Sequence, residues 1–191
     1  MTVGVDLPFA CQCGKVHGLL HDITPSAGGQ VQCHCDDCRR AIVWLGQADP
    51  GPDGVRYFQT TPNRVTFHQG GDTLSAFTWK SEKLVRWFAP CCNTALFNTL
   101  NSPKWAFASF MVDRIADPAP LGPVKAHAFV PKPNGKRGHT NALGFMGGFI
   151  KRTISARLSG TWRDTPFFDD DGQPIAQVRP LTHEDRAQAQ L

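Results

Sequence analysis

The chain has 191 residues, 41% of them hydrophobic and 19% charged, with a formal net charge of +4. That length suits one domain, or one domain with an extension, and a charge this mild does not by itself argue for nucleic acid. The longest apolar run stops far short of the ~20 residues that cross a bilayer, so no membrane partner is expected.

Residues 1–130 read as a mainly β domain. Short runs rich in β-branched and aromatic residues at 16–20, 31–33, 55–59, 64–68, 74–79, 84–88 and 105–112 are separated by Gly, Pro, Asn and Asp, which predicts strands joined by turns. Between them, residues 36–41 suit one helical turn, 46–54 (GQADPGPDG) a loop, and Gly70-Gly71-Asp72 a hairpin turn. Residues 131–141 (PKPNGKRGHTN) read as a polar, basic linker. After it the period changes. Leu143, Met146, Ile150, Ile154 and Leu158 recur at helical spacing, with Asn141 as N-cap and Gly160 as stop. A last short helix is expected over 182–189, where Thr182 and Asp185 suit a capping box. Residues 131–191 therefore form a C-terminal extension with one or two helices, expected to pack on the core.

The cysteines carry the chemistry. The N-terminal MTVGVDLPFACQC has neither the basic start nor the apolar centre of an export signal, so a cytoplasmic location is expected. In that compartment seven cysteines read as reduced thiols or metal ligands rather than a disulfide framework. All seven fall in three short groups: Cys11-x-Cys13, Cys33-x-Cys35-x-x-Cys38, and Cys91-Cys92. Clustered thiolates favour zinc, and tetrahedral sulfur sites favour zinc or iron–sulfur. The group of Cys33, Cys35 and Cys38 fits either a catalytic site with an open position or a structural one completed by His34 or a distant side chain. Cys11 and Cys13, with Cys91 and Cys92, form a second candidate site, in which one of the adjacent pair could be a bystander. Asp36 and Asp37 read as exposed turn residues. Arg39 and Arg40 are candidates to lower thiol pKa values or to bind an anionic substrate. The other histidines, the Asp169–Asp171 run and the basic residues from Lys132 to Arg152 read as surface or turn features.

Three motifs together resemble the glutathione-dependent formaldehyde-activating enzyme (GFA) family, which includes centromere protein V. They are Cys11-x-Cys13-Gly14-x-Val16, Cys33-His34-Cys35-x-x-Cys38-Arg39-Arg40, and Phe88-x-x-x-Cys92-x-Thr94-x-Leu96. The resemblance covers about residues 8–130. It implies a small, antiparallel-sheet zinc-binding fold, similar to that of a zinc-binding accessory protein of Rab GTPases. It also implies a structural zinc held by Cys11, Cys13 and the third motif, and a catalytic zinc held by Cys33, Cys35 and Cys38. The implied activity is carbon–sulfur lysis: reversible joining of glutathione and formaldehyde. The third motif departs from the family's Phe-Cys-x-x-Cys-Gly. Ala89 stands at the first cysteine, Asn93 at the glycine, and Cys91 is the substitute ligand one position away. The extension is also foreign to the family core.

The leading expectation is thus a GFA-like carbon–sulfur lyase with one or two zinc ions per chain, acting on glutathione or another thiol adduct of a small aldehyde. The alternative is a zinc-stabilised, non-catalytic module that binds a protein partner through residues 143–158. The extension has three open roles: capping the site, forming a homodimer or covering the β core. Nucleic acid is not an expected partner.

Overall fold

The computed structural model describes residues 3–191. In chain order the strands are β1 (Val5–Ala10), β2 (His17–Ile23), β3 (Gly29–Cys33), β4 (Val55–Thr60), β5 (Val65–Gln69), β6 (Ser75–Thr78), β7 (Leu84–Ala89), β8 (Thr94–Leu100), β9 (Ala108–Met111), β10 (Val124–Pro131), β11 (Arg137–Thr140) and β12 (Val178–Pro180). The helices are α1 (Asp36–Trp44), α2 (Ala142–Ser159) and α3 (His183–Ala187). The fold is mainly β, as expected.

Two sheets form. β1, β2 and β5 make a three-stranded antiparallel sheet; the other nine strands run in the order β11-β10-β3-β4-β9-β8-β7-β6-β12. The larger sheet is mixed rather than purely antiparallel, because β10 pairs parallel with β3 and β12 parallel with β6. Both parallel strands arrive from beyond residue 123, after long connections that short hairpins could not provide.

Strand alternation divides the interior in two. Inward residues of β1, Leu7 and Phe9, join Leu20, Phe58, Trp87, Phe97 and Phe110 in the main core shared by both sheets. The Phe97 ring meets Phe110 edge-on at 4.3 Å and Phe9 at 5.4 Å between centroids. Gly18 lets β2 lie against β5 here, since a Cβ would fall 1.9 Å from the Thr66 carbonyl oxygen. The opposite face of the large sheet holds Val31, Val55, Tyr57 and Met111, packed against Cys38 and Ile42 of α1.

Several expectations change. Gly70 does turn the chain, at φ 74°, but β5 and β6 belong to different sheets, so the turn switches sheets instead of closing a hairpin. The basic stretch after residue 130 is not a linker: β11 folds back on β10, with Val130 opposite Gly138 and Gly135 at φ 73° in the turn. Its polar composition marks a surface hairpin. The turn at 36–41 extends into the nine-residue helix α1. α3 is capped by the expected box, in which Thr182 and Asp185 exchange hydrogen bonds.

α2 runs between Asn141 and Gly160 as predicted, but its apolar stripe faces outward. Leu143 is 92% exposed and Leu158 84%, with Met146, Ile150 and Ile154 about half exposed. Phe145, Phe149 and Ala156 face the protein instead, so the periodicity found a real face while a second apolar face took the packing. The rest of the extension enters the core: Phe167 and Phe168 are buried, and the Phe167 ring lies tilted at 43° to Trp87, 5.3 Å between centroids. Among the described residues, no helix is long and apolar enough to cross a membrane.

Replacing Phe97 with Ala should cost about 3–5 kcal/mol of folding stability. Denaturant unfolding measures this, and a loss below about 1 kcal/mol would show that the ring cluster does not anchor the two sheets.

Candidate metal centres and the adjoining cavity

The first sulfur cluster is built at a strand–helix junction. Cys33 ends β3. Cys35 is the N-cap of α1, its Sγ accepting from the Cys38 backbone N–H at 3.3 Å. Cys38 then lies one helical turn in. The Cys33 Sγ sits 3.4 Å from Cys35 Sγ and 3.5 Å from Cys38 Sγ. A tetrahedral ion with metal–sulfur bonds of ~2.3 Å spaces its sulfurs by ~3.8 Å, so the three could hold a metal with little adjustment. Gly54, at φ 77°, lets the chain pass behind Cys33; a Cβ there would fall 2.1 Å from the Cys33 carbonyl oxygen.

Among the described residues, no histidine or carboxylate joins these thiols as a fourth ligand. His34 points elsewhere, its Nε2 3.2 Å from His127 Nδ1 and its ring stacked on His127.

Behind Cys38 lies a residue that belongs to none of the cysteine motifs. Arg86 of β7 is only 7% exposed, with Nη1 and Nη2 3.9 and 3.8 Å from Cys38 Sγ. Its Nη1 also donates to Asn98 Oδ1 at 3.4 Å, and Asn98 is its cross-strand partner on β8. A buried cation needs a negative partner, and Cys38 supplies it. Hydrogen bonds from Cys33 and Cys35, together with the Arg86 guanidinium, hold the Cys38 thiol well below its ordinary pKa against the opposing effect of burial. Cys33 shifts upward because it donates to the other two sulfurs. For Cys35 the Cys33 hydrogen bond pulls down, but Cys38 and burial outweigh it and leave the thiol at about 11. Among the three sulfurs, Cys38 is thus the one whose thiolate is favoured. The signal for Arg86 was present in the sequence as a lone charge inside the apolar run Leu84–Ala89.

The second cluster joins two turns. Cys11 and Cys13 follow β1, where Gly14 takes φ 76°; Cys91 and Cys92 lie between β7 and β8, where Asn93 takes φ 53°. Asparagine tolerates that left-handed conformation better than most residues, so it can stand where the resembled family has glycine. Sulfur separations are 3.6 Å for Cys11–Cys13, 3.8 Å for Cys11–Cys91, 3.3 Å for Cys13–Cys91 and 3.8 Å for Cys91–Cys92. Both adjacent cysteines therefore belong to one four-sulfur group that could hold a metal; neither is set apart as a bystander. Burial raises the Cys92 thiol, but the Thr94 hydroxyl and the Cys13 backbone N–H bring it down to about 6. Burial and hydrogen bonds with the other sulfurs push Cys91 up to about 12.

A cavity of about 590 Å³ opens beside the first cluster, lined by Cys33, Cys35 and Cys38, by Arg86, His127 and His139, and by Phe145 and Met146 of α2. The extension thus forms part of its wall. Arg39 and Arg40 do not line it. Arg39 pairs with Asp49 through Nε and Nη2 at 2.9 and 2.5 Å, and Arg40 donates to the Ala189 carbonyl. Asp36, exposed as expected, pairs with Arg137. Asp37 is half-buried and accepts from Trp79 Nε1 and Lys80 Nζ.

Two measurements test this geometry. Cys91→Ser and Cys92→Ser should each lower the bound metal by about one ion per chain in elemental analysis, whereas retention in either variant would exclude that sulfur as a ligand. In Arg86→Met, Cys38 loses the cation that favours its thiolate. Protons then compete better with the metal, and the midpoint of acid-induced metal release should rise by about one pH unit; an unmoved midpoint would contradict the role of Arg86.

No curated protein matches the chain. A crystal structure of a Rhodobacter sphaeroides protein is similar with 19% identity and a TM-score of 0.41, covering 61% of this chain and 96% of that one. Residues 3–179 match the model of a family described as of unknown function, and the chain belongs to that family, DUF6151.

Proposed function

We propose that this protein is a cytoplasmic, zinc-dependent carbon–sulfur lyase, similar to the GFA enzymes, acting on a thiol adduct of an aldehyde. The observation that carries this reading is the set of three converging sulfurs with no fourth protein ligand among the described residues and a cavity at their side. Structural zinc sites usually close with four protein ligands, whereas catalytic sites keep a position free. The all-sulfur donor sets suit zinc. Cys33, Cys35 and Cys38 would hold the catalytic ion; Cys11, Cys13, Cys91 and Cys92 would hold a structural one. The order and spacing of the GFA-like motifs support the same assignment. Seven free thiols suit a reducing compartment.

A bound zinc would supply Lewis acidity towards a carbonyl oxygen or a thiolate. The chain's own groups do the rest. Arg86 keeps negative charge on Cys38. The largely apolar wall lowers the polarity beside the thiols. His127 and His139 line the cavity and are the imidazoles placed to carry a proton. In the cleavage direction the adduct's carbon–sulfur bond breaks with its electron pair going to sulfur, the hydroxyl loses its proton to give the aldehyde, and the released thiolate takes up a proton. No oxidant or reductant is needed.

A second reading is favoured by the exposed stripe of α2: a zinc-stabilised module whose Leu143, Ile150 and Ile154 meet a protein partner. A metal-loaded protein without turnover, together with loss of a partner in Ile150→Asp, would support that reading over the enzyme.

The enzymatic reading predicts that adduct formation from glutathione and an aldehyde is accelerated, and that Cys35→Ser reduces the rate by about 100-fold or more, the scale on which a lost metal group acts. Equal rates for the two proteins, with formaldehyde and larger aldehydes and with both glutathione and a small uncharged thiol, would remove it.

A further inference from the structure

The cavity walls bear on which adduct fits, provided that the lyase reading holds. A volume of about 590 Å³ lies in the range of sites that enclose a whole small molecule. A one-carbon aldehyde group would occupy a small part of it. Away from the thiols the walls are aromatic and aliphatic: Leu84, Phe107, Phe129, Phe145 and Met146. Phe107 is braced edge-on by Phe149 of α2 at 5.6 Å, and Phe129 by His139 at 4.9 Å.

The two charged side chains in the lining, Arg86 and Asp37, have protein partners, although the buried Arg86 Nε has none. Arg86 faces Cys38 and Asn98, and Asp37 serves Trp79 and Lys80. No lysine is among the lining residues. Glutathione carries two carboxylates, and a carboxylate buried without a partner is strongly disfavoured. These walls therefore suit a hydrocarbon group, with any charged part of the thiol left towards the exposed His127, His139 and Thr140 at the rim.

We infer that the substrate is the thiol adduct of an aldehyde bearing an aromatic or medium-chain aliphatic group, which is buried against Phe107, Phe145 and Met146 while the adduct carbon lies at Cys33, Cys35 and Cys38. Cleavage releases that aldehyde and the thiol, with the bond and proton changes given above.

Uncleavable thioethers separate binding from turnover. Calorimetry on the full-length, metal-loaded protein would use 2-hydroxyethyl thioethers carrying methyl, butyl, hexyl and benzyl groups. Affinity should rise by about threefold to fourfold per added methylene, with benzyl near hexyl. Met146→Asp, at a half-exposed position whose change leaves the core intact, should abolish most of the gain from methyl to hexyl. Phe145→Ala should reduce hexyl binding by at least about 10-fold. A flat series, or a gradient unchanged in Met146→Asp, would overturn the inference. Graded binding without cleavage of the matching aldehyde adducts would leave the cavity's preference standing and defeat the lyase reading. Cleavage of the formaldehyde adduct with a flat thioether series would do the reverse.

Discussion

A guanidinium inside a β-sheet must be answered by negative charge, and the contact between Arg86 and Cys38 meets that requirement. Arg86 sits on β7 with Trp87 beside it, one side chain on each face of the sheet. Trp87 is fully buried in the main core; Arg86 reaches the thiol side. The strand that anchors the hydrophobic interior thereby also fixes the charge of the sulfur cluster. An apolar replacement would remove the cation, and a shift of β7 by one residue would exchange the two faces.

The two sulfur groups differ in the way they are made. Cys33, Cys35 and Cys38 come from one local segment, where a strand ends and a thiol caps the following helix. Amide groups at a helix start favour negative sulfur. The other group draws on residues almost eighty positions apart and is more open to solvent, with Cys13 and Cys91 exposed. It depends on the β7–β8 turn and on Asn93 accepting a left-handed backbone. A metal there would tie the N-terminal turn to the large sheet; a metal at the first group would have the cavity as its neighbour.

Much of this was legible from residue order. Seven of the twelve strands among the described residues (β2–β7 and β9) are legible as β-branched and aromatic runs, with ends displaced by up to three residues, because alternation and turn residues bound them locally; β1, β8, β10, β11 and β12 are not expected from the sequence. α2 and the α3 capping box followed from spacing that a helix requires. The three cysteine groups were recognised because scarce residues gathered. What could not be read locally was pairing. Nothing in residues 124–131 announces a parallel partner in β3, and the switch of sheets at Gly70 depends on which distant strand is nearer. Arg86 escaped because its meaning comes from a sulfur 48 positions earlier, whereas Arg39 and Arg40, adjacent to the motif, turn towards Asp49 and Ala189. The stripe on α2 shows the same limit: periodicity identifies a face, and only packing decides which face is covered.

The last sixty residues have one more consequence. They furnish both outermost strands of the nine-stranded sheet, β11 at one end and β12 at the other. β11 is the polar tetrapeptide Arg-Gly-His-Thr, and β12 is three residues closing on Pro180. Short, charged or proline-bearing borders offer few free backbone groups to another chain. Without them, the apolar Ser75–Thr78 strand and the eight-residue β10 would form the margins, each a template for adding a foreign strand. The extension therefore covers two sheet edges that would otherwise lie open to strand addition, as well as shaping a cavity.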